Sequence, residues 1–134
     1  MMNDANILTG VKTIAIVGLS DKPERESYQV AEYLLEQGFT IIPVNPNISS
    51  VLGQKTYPDI SSIPETIAID VVDIFRRSEE VLPHVKEAVK RTDIKTIWMQ
   101  EEVINEEAKT LAKSHGLTVV MNFCLMKTHK KLQS

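Results

Sequence analysis

The sequence predicts an α/β domain in which a mainly parallel, five-stranded sheet is wound doubly, with helices on both faces in a three-layer αβα arrangement. Three observations carry that expectation. Short apolar runs alternate with longer segments of helical period, the pattern of successive βαβ units. The first run, Ile14-Ala15-Ile16-Val17, ends in Gly18-Leu19-Ser20, a turn suited to the start of a nucleotide site. About thirty residues later, a second run ends in Pro43-Val44-Asn45-Pro46-Asn47, facing the same crevice.

The elements follow in order. Strands are predicted over Thr13–Val17, Thr40–Val44, Ala68–Phe75, Thr96–Met99 and Leu117–Met121. Between the first two, Tyr28, Ala31, Leu34 and Leu35 recur at helical spacing, and Gly38 supplies the left-handed residue that ends many helices. A second helix is predicted from about Ser78 to Arg91, with Ser78 as N-cap, Glu79 and Glu80 complementing the dipole, and Val81, Val85, Ala88 and Val89 on one face. Pro83 points to a tight or distorted first turn. A third runs from about Asn105 to Ser114, turns Ala108, Leu111 and Ala112 inward, and stops at Gly116. Between Asn47 and Thr66, Gly53, Pro58 and Pro64 break any long helix, so an irregular packed crossover with one short helical turn is expected. Pro43 lacks a ladder donor and is expected at a strand end or beside a gap in pairing. The tail from Lys127 to Ser134 reads as a final helical turn or a frayed end.

With 134 residues the chain is expected to form one domain, residues 1–134, burying roughly two-thirds of its unfolded surface. Hydrophobic residues make up 43% and charged residues 25%, which argues against disorder of the whole chain. A net charge of −3 gives no long-range attraction to nucleic acid or anionic membrane, so neither is an expected partner, and any phosphate must be held by local donors. The single cysteine, Cys124, excludes an internal disulfide and suggests no zinc cluster. With no signal-like N-terminus and no long apolar run, a cytoplasmic location is expected.

Ligands of open parallel sheets lie beyond the carboxyl ends of the strands. Gly18, Leu19 and Ser20 there offer backbone N–H groups and a hydroxyl to a phosphate, and Arg25 adds a forked cation. The plainer alternative has Gly18 making the turn, Ser20 or Asp21 capping the helix, and Arg25 solvated. Asn45, stiffened by Pro43 and Pro46, either reads an adenine or ribose edge or bonds its own backbone. Phe75-Arg76-Arg77 pairs a ring surface with cations, or is a core ring followed by surface arginines. Trp98 reads as core, and Gln100 as a polar contact just past its strand. A nucleophilic pair of Cys124 with His115 or His129 has no spacing to support it. Glu101, Glu102, Glu106 and Glu107 read as a solvated face and helix-start charges, not as a metal cluster. The dinucleotide fingerprint is missing: Gly18 is the sole glycine of its loop, and the second strand ends in Asn45 where a ribose-binding acid is needed.

Six segments in series, Val17-Gly18-Leu19-Ser20, Pro43-Val44-Asn45-Pro46, Val72-Asp73-Ile74-Phe75-Arg76, Trp98-Met99-Gln100, Asn105-Glu106-Glu107-Ala108 and Val119-Val120-Met121, carry a resemblance. The chain, from about Ile7 to Leu132, resembles the small stand-alone CoA-binding proteins whose domain is similar to the N-terminal CoA-binding domain of the succinyl-CoA synthetase α subunit. The resemblance implies a Rossmann-like domain holding coenzyme A (CoA) or an acyl-CoA across its strand ends. It places Gly18, Leu19 and Ser20 near the phosphates. Asn45 with Pro46 and Asn47, Phe75 with Arg76, and the segment around Gln100 would then line the rest of the nucleotide and pantetheine path. Two departures stand out. Such proteins often have glycine soon after the Trp-x-Gln element, where this chain has Glu101 and Glu102, and an acidic residue just before the histidine, where it has Thr128 before His129.

The resemblance gives a leading function of non-enzymatic CoA or acyl-CoA binding, as a carrier or a sensor read by a protein partner. An alternative is a subunit that presents CoA to an acyl-transferring or acyl-CoA synthetase-like enzyme. The larger enzyme keeps its phosphorylated histidine and ATP chemistry in further domains, so the isolated chain is expected not to catalyse acyl activation. An NAD(P)-binding protein is a weaker alternative.

Overall fold

The computed structural model describes residues 7–133. Its main sheet has the order β2-β1-β5-β6-β7, from Thr13–Val17 (β1), Thr40–Val44 (β2), Val71–Ile74 (β5), Thr96–Met99 (β6) and Thr118–Met121 (β7). Every neighbouring pair is parallel, with Ile16 opposite both Pro43 and Asp73, and Asp73 opposite Trp98. The central strands are buried on both faces, which is why they read as unbroken apolar runs.

Strand alternation divides the core in two. Ala15, Val17, Val72, Ile74 and Met99 face Val81, Val85 and Ala88 of α2 (Val81–Ala88) and Ala108 and Ala112 of α3 (Glu106–Ser114). Ile14, Ile16, Val71 and Trp98 face Val30, Ala31 and Leu34 of α1 (Glu26–Glu36) and Leu125 of α4 (Leu125–Gln133). Among the described residues two helices thus cover each face, the doubly wound, Rossmann-like arrangement. The connection that leaves β1 runs to β2 on one side and the one that leaves β5 runs to β6 on the other, so the topological switch point lies between the carboxyl ends of β1 and β5.

Several boundaries differ from the sequence reading. The third main strand begins at Val71, not Ala68. Ser20 and Asp21 do not cap the first helix: it starts at Glu26, with Arg25 in the N-cap position and no side-chain cap. Ser78 is not an N-cap either. It opens a 3₁₀ turn, Ser78–Glu80, that runs into α2 ahead of Pro83, and its Oγ accepts from the Ile104 N–H. Asn105 does cap α3, accepting from the Ala108 N–H at 2.8 Å. The crossover contains an unforeseen two-stranded hairpin, Ser50–Val51 (β3) with Gln54–Lys55 (β4), besides the 3₁₀ turn Ile60–Ser62. The tail is neither a single turn nor frayed through residue 133: burial of Leu125, Thr128 and His129 holds it as the nine-residue α4. Pro43 is the penultimate residue of β2, an edge strand where a missing donor is tolerated. Among the described residues, no helix is long and apolar enough to cross a membrane.

Candidate functional site

The loop after β1 is fixed before any ligand is considered. Gly18 donates to the Val44 carbonyl at 2.8 Å, and Phe75 donates to the Val17 carbonyl at 2.8 Å, so the ends of β2, β1 and β5 are tied side by side. Gly18 sits at φ +84°, and a β carbon there would lie 2.2 Å from the Phe75 carbonyl oxygen. No other residue fits without moving the backbone. Ser20 then donates its N–H to Ser27 Oγ at 3.0 Å and accepts from the Lys22 N–H through its own Oγ at 3.0 Å.

Because α1 starts only at Glu26, residues 21–25 stay in the loop, and two of them, Lys22 and Arg25, border a groove at the switch point. A segment of about 410 Å³ is lined by Gly18, Ser20, Lys22, Arg25, Glu26, Ser27 and Phe75. The first N–H groups of an α-helix have no intrahelical acceptor and carry the positive end of its dipole. Here no side chain caps them, and Lys22 and Arg25 add two cations beside them. That combination suits a phosphate. A second segment of about 380 Å³ shares Glu26 and Phe75 with the first and continues past Arg76, Gln100, Glu101 and Val103.

Gly18, Ser20, Arg25, Phe75, Arg76 and Gln100 are thus brought to one groove. Leu19 is 0% exposed and its side chain belongs to the core, so it can offer only backbone. Asn45, Pro46 and Asn47 do not line either segment. Asn45 instead ties loops together, donating from Nδ2 to the Leu19 carbonyl at 3.0 Å and accepting from the Asn47 N–H at 2.8 Å. Its amide therefore holds the neighbouring turns, as the plainer of its two readings had it.

Several polar atoms along the second segment are buried without a partner. Gln100 is 1% exposed; its Oε1 accepts from the Leu125 N–H at 3.0 Å, and its Nε2 bonds nothing. Arg76 reaches Glu80 at 3.2 Å through its terminal nitrogen, leaving a buried Nε unpaired. Asp73, on β5 beneath the groove, is 0% exposed with both oxygens unpaired. Burial, reinforced by the charge of Glu26, pushes its carboxyl well above the usual carboxylate range.

Trp98 is core, as its sequence reading had it, with Nε1 donating to the Phe123 carbonyl at 2.9 Å. Neither histidine joins Cys124. His129 Nδ1 meets the Tyr33 hydroxyl at 2.6 Å, and His115 Nδ1 lies by the Leu111 carbonyl at 3.1 Å. Lys22, Glu26 and Ser27 escaped the sequence reading, because a cap at Ser20 or Asp21 would have carried them into the helix.

A parallel sheet with this strand order and a cation-bordered groove at its switch point defines a Rossmann-like ligand-binding domain. A family model described as a CoA binding domain matches residues 12–130, and the chain belongs to that family. It is 43% identical over 123 residues to the uncharacterized protein YneT of Bacillus subtilis (strain 168), covering 92% of this chain and 89% of that one. A hypothetical protein from Pyrococcus horikoshii OT3 superposes with a TM-score of 0.93 at 40% identity, over 99% of this chain and 94% of the other. The chain is also 25% identical over 120 residues to acetate–CoA ligase [ADP-forming] II of Archaeoglobus fulgidus, covering 81% of this chain and 17% of that enzyme. It therefore spans less than a fifth of that ligase.

Proposed function

We propose that this chain binds CoA or an acyl-CoA along the groove at the β1/β5 switch point and acts as a carrier or sensor, without catalysing a reaction by itself. The observation that carries this reading is the uncapped start of α1, which opens beside Lys22 and Arg25 at the end of the groove bounded by Gly18. Helix N–H groups and two cations favour the CoA phosphates at that end. The ring of Phe75 and the unpaired Nε2 of Gln100 favour an apolar arm bearing carbonyl acceptors farther along. Membership of the CoA-binding family supports the same ligand. The reading keeps Gly18, Leu19, Ser20, Arg25, Phe75, Arg76 and Gln100 as contacts. Asn45, Pro46 and Asn47 become residues that position the loop.

Isothermal titration with CoA, dephospho-CoA and NAD at one salt concentration tests the ligand. Saturable CoA binding, weakened without the 3′-phosphate and stronger than NAD, is the expected result. Tighter NAD binding, or no CoA binding, overturns the reading. A second reading, a subunit presenting CoA to an acyl-CoA synthetase-like partner, draws support from the similarity to one segment of the acetate–CoA ligase. Turnover of an acyl-CoA by the isolated protein would contradict the binding-only role.

A further inference from the structure

Farther along the groove than the cationic loop, three potential ligand atoms for a cation converge. A carboxylate oxygen of Glu26, one of Glu101 and the Sγ of Cys124 all lie within 4.8 Å of one another. They come from the start of α1, the turn after β6 and the residue before α4, so no sequence spacing announces them. The sequence reading had grouped Glu101 with Glu102, Glu106 and Glu107, but its neighbours in space are Glu26 and Cys124.

Two buried side chains near this cluster, Asp73 and Gln100, keep polar atoms without a partner. Asp73 lies opposite Ile16 and Trp98, on the face of the sheet that packs Cys124 and α1. Both its oxygens are buried and unpaired. Gln100 bonds the Leu125 N–H, next to Cys124, with one end of its amide and lines the groove with Glu26 and Glu101; the other end, Nε2, is unpaired. Buried polar groups are normally satisfied. Lys127 Nζ stands 3.1 Å from Glu101, and Arg76, which lines the same segment, is tied to Glu80.

We propose that Glu26, Glu101 and Cys124 form a three-ligand site for a thiophilic divalent cation of the zinc class, with a fourth position open toward the groove. The mixed set of one thiolate and two carboxylates suits zinc, whereas magnesium and calcium take oxygen ligands. Binding releases the Cys124 proton, frees Lys127 from Glu101 and draws the three ligands inward from their present separations. Gln100 Nε2 then has a liganding carboxylate or thiolate to donate to, the outer-shell role that orients metal ligands.

The probe is Co²⁺, titrated into the reduced full-length chain without CoA. One ion per chain is expected, with thiolate-to-cobalt charge-transfer absorption and the visible bands of tetrahedral cobalt, both displaced by Zn²⁺. Cys124→Ser removes the charge-transfer band. Glu26→Gln and Glu101→Gln each weaken binding by at least the roughly tenfold that even an outer-shell partner contributes. Lys127→Met, which removes the competing ammonium, tightens it. Thermal melts of the ion-free variants establish that each is folded. Absence of the charge-transfer band in the unsubstituted protein, or an affinity that neither glutamate substitution lowers, overturns the proposal. Since no CoA is present, this failure and a failure of CoA binding are read separately.

Discussion

Gly18 and Phe75 meet across the switch point so closely that a β carbon on Gly18 would lie 2.2 Å from the Phe75 carbonyl oxygen. The contact locks the loop that starts the groove onto the strand end that walls it. Gly18→Ala places an L-residue at φ +84°, which alone costs about 1–2 kcal/mol, and displacement of the Phe75 backbone adds to that. Chemical denaturation is expected to show a lower midpoint by at least this amount, with weaker CoA binding in the fraction that folds.

Lys22 and Arg25 are exposed and line the groove, so their loss leaves folding intact and weakens the ligand. A hydrogen bond to a charged group contributes about 1.5–3 kcal/mol, and solvent screening takes part of it. Lys22→Ala and Arg25→Ala are each expected to weaken CoA by roughly tenfold, with unchanged melting temperature. Calorimetry at two salt concentrations checks this, since the effect shrinks as salt rises.

Asp73 has a raised carboxyl pKa because it is buried, with Glu26 adding to the effect. A pKa raised on folding stabilises fully only below the unfolded value of about 3.9, and that contribution is lost as pH rises through the folded value. Asp73→Asn, which keeps the shape and removes the charge, is therefore expected to raise the urea midpoint at pH 7 in the ion-free protein. The gain shrinks as pH is lowered toward 4. Denaturation at a series of pH values measures it.

His129 has the opposite sign. Burial lowers its pKa, so the unfolded chain takes up the proton first. Its contribution is complete above about pH 6.5 and is lost as pH falls through the lower folded value. His129→Gln is expected to flatten this acid-side loss in melting temperature. Tyr33→Phe removes the hydroxyl that meets His129 Nδ1 at 2.6 Å and lowers stability by about 1 kcal/mol.

The sheet was legible because its central strands are buried on both faces, so Ile14 to Val17 and Thr96 to Met99 stand out as apolar runs without alternation. The switch-point loop was legible through Gly18 and Ser20. What escaped has physical reasons. The strands of the hairpin Ser50–Val51/Gln54–Lys55 have two residues each, too few to show a period. Helix α4 hid behind Lys127, Lys130 and Lys131, although Leu125, Thr128 and His129 sit at helical spacing on its buried side. Ser20 and Asp21 are good N-cap residues by chemistry, but Ser20 is engaged by Ser27 and Lys22, and the helix waits until Glu26. That delay turns Lys22 and Arg25 toward the groove. The meeting of Glu26, Glu101 and Cys124 is a tertiary event between three elements, beyond the reach of any local pattern.

Amide chemical-shift mapping with CoA tests the binding site most directly. On titration into isotope-labelled protein, the resonances of Gly18 to Ser27, Phe75 to Arg77, and Gln100 and Glu101 are expected to move together and saturate. Shifts confined to the opposite, amino ends of the strands, around Asp70, Lys95 and Thr118, or no shifts at all, would contradict a CoA site at the switch point.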